Sequence, residues 1–282
     1  MIKKIIYILL LSFLFSYPGK GQNNFFWSHA TGLRCLYDNA TYIRQTNENL
    51  TNLRGIFFKP DGSRMYAVYG GAYIRQWDLS TNWDISTRTW SGTILLENQA
   101  GGYYGITFSA DGSKMYVVDV SSRRMEQYNL STSWNITTFS FSGYWVYGGT
   151  NFTPYGCTFS ENGEYVYLSG FNTLTNHAAF KNFYLEIPWD TSTDIELNTY
   201  DYGDDIIYDL QFHLTGLVLF TISNTLISQY NSIPAWSIKN LKDKCVFGPT
   251  NGMRGIYISP DYKRLYLSDT YDGEIKQYKL FD

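Results

Sequence analysis

Five residues at matching positions carry chemistry that scattered side chains would not: Arg54, Tyr104, Tyr155, Tyr208 and Arg254. Each stands directly before a pattern that recurs along the chain, at steps of 50, 51, 53 and 46 residues. If the pattern forms a ring, its first and last members become neighbours. Two guanidiniums flanked by three phenols can then hold a carboxylate, a phosphate or an acidic sugar. The competing role is packing of loop crossings, with hydrogen bonds to backbone carbonyls. A second series is Trp83, Trp134, Trp189 and Trp236. Seam packing between repeats is their expected role. Stacking on sugar faces, with avidity from repetition, is the alternative.

Catalytic signals are poor. Asp119 and Asp269 end equivalent strands, and Asp209 opens the fourth repeat at a channel position. These three could bind Ca2+ or do acid–base work in a metal-dependent lactonase or hydrolase. The ordinary reading is three solvated loop carboxylates, with no metal and no cofactor. His29, His177 and His213 show no metal-ligand spacing, and His213 falls inside a strand pattern. The sequence has no Cys-x-x-Cys, nucleophile elbow or phosphate-cradling glycine loop. Residues 169–182, with His177 and Lys181, read as the longest loop insertion, either neutral or a recognition loop.

The elements that must position these groups follow from the repeat. Gly55-Ile-Phe-Phe-Lys-Pro-Asp-Gly-Ser-Arg-Met-Tyr66 matches Gly105-Ile-Thr-Phe-Ser-Ala-Asp-Gly-Ser-Lys-Met-Tyr116. Further copies start at Gly156 and Gly255, with a worn copy at Asp209. All five units span twelve residues. Alternating apolar residues around Asp-Gly or Asn-Gly predict a tight β-hairpin. The Asp61-Gly62 and Asp111-Gly112 pairs are therefore turn residues, not calcium loops. A fixed length keeps each side chain on its face, because a one-residue slip would invert them all. A third strand follows at Gln76, Gln127, Phe183, Gln229 and Gln277, then the Trp-bearing turn and a less regular fourth strand. Four antiparallel strands per repeat predict an all-β, five-bladed propeller. The last repeat ends after its third strand. Residues 41–45 are placed to supply the missing one and close the ring, within an N-terminal cap and closing segment at 22–54.

The motif Gly-Ile-x-Phe-Ser-x-Asp-Gly-x-x-Met-Tyr resembles the secreted β-propeller repeats of the YVTN/WD40-like group. The resemblance covers residues 40–282. It implies a propeller, and a range of surface, binding and structural proteins with some lactonase-type enzymes; related repeats also occur in phage-encoded proteins. The Gly-His start of true WD40 repeats is absent, and Trp77-Asp78 occurs once.

Lys3 and Lys4 precede an apolar run, Ile5 to Phe15, and small residues reach Gly21. This reads as a signal peptide over 1–21, too short to span a bilayer, ahead of a single domain over 22–282. Its loss of Lys3, Lys4 and Lys20 takes the formal charge from −3 to −6. That balance offers no global basis for nucleic-acid binding. Aromatics at 18% and charged residues at 17% exclude a disordered chain. Cys157 sits where other repeats carry Ile, as a core thiol would; Cys35 and Cys245 are free to pair in an oxidising compartment. The combined expectation is a secreted, periplasmic or cell-surface binding module, non-catalytic, with no transmembrane anchor. A carbohydrate or a surface protein is the expected partner, and a structural surface or virion component the remaining alternative.

Overall fold

Short alternating strands joined by obligatory tight turns cannot bury both faces alone, so each sheet must stack on its neighbours. In a computed structural model the described residues are 35, 40–46, 48–96, 102–147, 151–203, 205–232, 234–239, 241–248 and 251–280, the side chains of 242–244 excepted. The expected leader and nearly all of segment 22–39 lie outside them. Cys35–Asp282 forms one unit.

The first strand is β1 (Thr41–Gln45). Blade one is β2 (Ile56–Phe58), β3 (Arg64–Tyr69), β4 (Tyr73–Leu79) and β5 (Arg88–Leu95). Blade two is β6 (Tyr103–Phe108), β7 (Lys114–Asp119), β8 (Arg124–Leu130) and β9 (Phe139–Trp145). Blade three is β10 (Phe152–Phe159), β11 (Tyr165–Asn172), β12 (His177–Leu185) and β13 (Asp194–Asp201). Blade four is β14 (Ile207–Phe212), β15 (Val218–Ser223), β16 (Ile227–Ser232) and β17 (Leu241–Phe247). Blade five is β18 (Met253–Ile258), β19 (Arg264–Asp269) and β20 (Glu274–Lys279), completed by β1 in the order β1-β20-β19-β18. The pairing sets Thr41 opposite Lys279 and Tyr42 opposite Tyr278. The protein is thus a five-bladed β-propeller closed by its N-terminal strand. Cys35, just before β1, forms a disulfide with Cys245 on β17. The bond ties the closing segment to blade four, next to the blade it completes. It fits an oxidising compartment. Among the described residues no helix is long and apolar enough to cross a membrane.

The core lies between blades. One cluster joins Val68, Ile74 and Ile94 of blade one to Ile106, Met115 and Val117 of blade two. Cys157, free and buried, belongs to the next cluster. Each Trp closes a seam by a repeated device. Its ring lies over the turn glycine of its own hairpin, where a Cβ on Gly62, Gly112, Gly163 or Gly216 would sit 2.2–2.3 Å from an indole atom. All four glycines also have positive φ. The Trp carbonyl then accepts a phenol from the preceding blade: Tyr66 to Trp134 at 2.6 Å, Tyr116 to Trp189 at 2.5 Å, Tyr167 to Trp236 at 2.6 Å and Tyr266 to Trp83 at 2.6 Å.

The seam between blades four and five lacks this device. Among the described residues blade five carries no Trp turn, Tyr262 stands at its turn-glycine position, and the worn repeat carries Phe220 where the others carry Tyr. His213 fills the gap. Its Nε2 donates to the Pro260 carbonyl at 3.0 Å, and its ring stacks on Tyr262 with centroids 3.6 Å apart.

At the axis the first strands approach so closely that a Cβ on Gly55 would lie 2.4 Å from the Tyr104 carbonyl oxygen. A Cβ on Gly105 would lie 2.8 Å from the Tyr155 oxygen, and one on Gly255 would lie 2.5 Å from the Arg54 oxygen. Backbone atoms there have no flexible end that could yield. Gly105→Ala is therefore expected to cost about 1–3 kcal/mol, the usual range for overpacking. The thermal midpoint should fall by several degrees, and an unchanged midpoint would show that the axis is not tight.

Candidate functional site

The predicted ring residues are delivered to one mouth of the channel by β-bulges. In β10, Pro154 pairs with Gly170 and Gly156 with Ser169, leaving Tyr155 as the extra residue. The same shift sets out Tyr208 between Ile207 and Asp209, and Arg254 between Met253 and Gly255. In β6 the irregularity runs from Tyr103 to Ile106 and includes Tyr104. In blade one Arg54 N donates to the Val68 carbonyl, and Val68 N donates to Gly55, so Val68 faces two residues. A bulge re-aims a side chain that a regular ladder would point elsewhere. The five side chains therefore share one end of the ring.

They also touch. Tyr104 and Tyr155 meet edge to face at 4.9 Å, and Tyr155 meets Tyr208 in the same way at 5.3 Å. Tyr104 and Tyr208 run parallel at 6.3 Å. The Arg54 guanidinium carbon stands 3.7 Å above the Tyr104 ring, and that of Arg254 stands 4.0 Å above the Tyr208 ring. Arg254 also donates to the Met253 carbonyl at 2.8 Å. Neither arginine forms an ion pair among the described residues. Burial lowers the Arg54 pKa, and the positive charge of Arg254 adds to that effect. Burial raises Tyr155 and Tyr208, so both phenols stay neutral donors at physiological pH. The outcome is a half-buried cationic mouth on an aromatic floor.

The aspartates are not brought together. Asp119 accepts from Ser122 N at 3.1 Å and lies 3.6 Å from Arg124 Nε. Asp269 lies 2.7 Å from Lys276 Nζ and accepts from the amides of Tyr271 and Asp272. Burial pushes Asp269 up, but the Lys276 and backbone hydrogen bonds outweigh it and hold the carboxyl below its usual range. Asp209 stands at the axis where the other blades have glycine, accepting from Leu210 N at 2.9 Å and from Ile256 N at 3.2 Å. Among the described residues no group of three His, Cys, Asp or Glu side chains could share a metal ion. Asp119, Asp209 and Asp269 are all buried, so they are not the solvated loop carboxylates expected from sequence.

The expected loop at 169–182 is also corrected. β11 and β12 pair continuously from Tyr165–Tyr184 to Asn172–His177, leaving only residues 173–176 as a turn. Lys181 is buried, with its Nζ 2.9 Å from Glu196. The extra residues lengthen a hairpin. Polar strand positions such as Asn172 and Asn182 hide the strand alternation.

The four Trp residues sit in the turns after the third strands, and their side chains lie over the hairpin turns that follow the first strands, at the opposite mouth. Each is half-buried against a core phenylalanine, at 4.9 Å for Phe159–Trp189 and 5.8 Å for Phe58–Trp83. Sequence reading did not reveal what lies between the mouths: a cavity of about 340 Å3 entered from the Trp side. Its signal was available, because Ile56, Ile106 and Ile256 repeat at one channel position.

Two buried groups make stability depend on pH in opposite directions. Burial pushes the Asp209 carboxyl up to about 8, against two backbone hydrogen bonds that lower it. The folded state holds the proton that the unfolded state has lost, so stability falls as pH rises from about 4 to about 8, by up to about 1.4 kcal/mol per pH unit. Burial drives His213 down to about 4, with the Pro260 hydrogen bond opposing. Its contribution is present above the unfolded value near 6.5 and is lost as pH falls towards 4. Between pH 4 and 6.5 the two slopes oppose each other, so denaturant titrations from pH 4 to 9 should show Asp209→Asn flattening the falling limb above pH 6.5 and uncovering a rise below it, and His213→Gln extending the falling limb down to pH 4. Wild-type limbs surviving in both variants would contradict this.

No family model and no curated protein matches the sequence. Solved structures do match, 1135 chains in all, and so wide a sharing fixes architecture rather than activity. One is the crystal structure of a functionally unknown protein from Desulfotomaculum acetoxidans DSM 771. It is 14% identical with a TM-score of 0.50, covering 80% of this chain and 68% of that one. At that identity the likeness concerns the fold alone.

Proposed function

We propose that this chain is a secreted, non-catalytic binding module that takes an acidic carbohydrate at the Arg54–Arg254 mouth. One observation carries the reading. Two guanidiniums stack on phenols at a single mouth, with no carboxylate paired to either among the described residues. A cation held in place without a counter-ion is prepared for an anionic ligand, and a guanidinium fork matches a carboxylate in two hydrogen bonds. The phenols of Tyr104, Tyr155 and Tyr208 supply aromatic faces and O–H groups for the rest of a sugar. An acidic group on a surface protein has the same charge chemistry and is the second partner class to test.

The catalytic alternative requires carboxylates converging on a metal or a water. Asp119 and Asp269 instead face separate cations, and Asp209 faces backbone amides. The disulfide and the N-terminal basic-apolar pattern support export.

A glycan array probed with the purified protein, with and without Ca2+, tests the reading. Uronate- or sialate-bearing glycans should bind without Ca2+, while neutral glycans do not. Arg54→Ala and Arg254→Ala should each weaken binding at least about tenfold, the scale of a lost charge-assisted hydrogen bond. Their thermal midpoints should match wild type. Equal binding of neutral glycans, or full binding by both variants, would overturn the proposal; a strict Ca2+ requirement would favour the aspartates.

A further inference from the structure

The cavity at the other mouth differs from the first in charge and in lining. Its walls are apolar first-strand residues, Ile56, Ile106 and Ile256 among them, with Trp134, Trp189 and Trp236 nearer the entrance. At about 340 Å3 it is roughly twice the size of the ~150 Å3 apolar cavity known to take up benzene. It can therefore hold an aromatic ring or a branched chain together with a substituent. No Lys or Arg lines it among the described residues, whereas the carboxyls of Asp209 and Glu161 both do.

Asp209 is the informative group. The other four blades place glycine at this axial position, and here a carboxyl projects instead. It is buried, has no cationic side chain beside it among the described residues, and forms part of the cavity wall. Each oxygen accepts one backbone N–H, and a carboxylate has about four acceptor sites, so capacity remains for a ligand donor. Gln211, His213 and the threonines Thr107 and Thr158 also line it, and a mainly apolar cavity with a few polar groups is the usual form of a small-molecule site. Two carboxyls and no cation set the sign of the ligand's charge.

We propose that this cavity binds a small apolar molecule carrying a basic nitrogen, with its hydrocarbon among the aliphatic and aromatic walls and its ammonium against the Asp209 carboxylate. The site is separate from the arginine mouth and does not depend on the reading of that mouth. Because burial keeps the unliganded Asp209 largely protonated near neutrality, binding an ammonium should expel that proton.

Benzylamine and its neutral isostere benzyl alcohol are suitable probes, read by the fluorescence of the cavity indoles and by calorimetry at pH 7. Benzylamine should bind at least tenfold more tightly than the alcohol. Calorimetry in two buffers of different ionisation enthalpy should show proton release approaching one per site, measured on wild type alone. Asp209→Asn should abolish the amine preference, Ile106→Phe should fill the cavity and weaken both probes, and Arg54→Ala should change neither. The proposal is overturned if neither probe binds the folded wild type, if the alcohol binds as well as the amine, or if no proton is released. Retention of the preference by a folded Asp209→Asn, or of full binding by Ile106→Phe, would place the probes elsewhere and overturn it equally.

Discussion

Five backbones converge on the axis of the ring, and their separation there leaves no room for a Cβ on Gly55, Gly105 or Gly255. Much of the molecule follows from that close approach. Side chains expelled from the axis must leave upward or downward. The bulge before each axial residue sends Arg54, Tyr104, Tyr155, Tyr208 or Arg254 to one mouth, and the strand after it sends isoleucines down the channel. A bulge inserted in a strand of fixed register is tolerated because the twelve-residue hairpin beyond it never changes length. The seams then carry the stability, as apolar clusters between blades capped by a phenol-to-carbonyl bond from Tyr66, Tyr116, Tyr167 or Tyr266.

The exception at the axis divides the channel electrically. Asp209 replaces a glycine in the blade that has also lost its seam tyrosine, and His213 and Tyr262 repair that seam with a stacked pair. One mouth carries two guanidiniums, while the cavity behind the other is lined by two carboxyls and no cation among the described residues. A single ring thus places guanidiniums at one end and carboxyls at the other. Under the two proposals the ends take opposite ligands, and substitutions at one should leave the other intact.

Repetition made most of this legible in the sequence. The recurrence of Gly55, Gly105, Gly156 and Gly255 at the head of a unit of constant length predicts the blades, and the truncated last repeat predicts closure by residues 41–45. The five mouth residues are legible because each precedes the same repeat position, a glycine in four blades and Asp209 in the other. Legibility failed where a feature occurs once. The long hairpin of blade three reads as a loop, since no second copy shows its strand pattern. The Cys35–Cys245 bond joins residues 210 apart, and spacing alone left that pairing open. Asp119 and Asp269 look like surface carboxylates until their partners Arg124 and Lys276 are seen beside them. The repeated Ile56, Ile106 and Ile256 mark the apolar channel wall, but the void they enclose is a property of packing that the repeat alone does not give.

The claim on which the functional account rests is that the arginine mouth reads charge. The most direct measurement is the affinity of the purified protein for an oligoglucuronate relative to a neutral glucose oligomer of equal length and linkage, at two ionic strengths. The account predicts a preference for the acidic oligomer of tenfold or more, shrinking as salt rises because the mouth is only half-buried. Equal affinities, or a preference indifferent to salt, would contradict it.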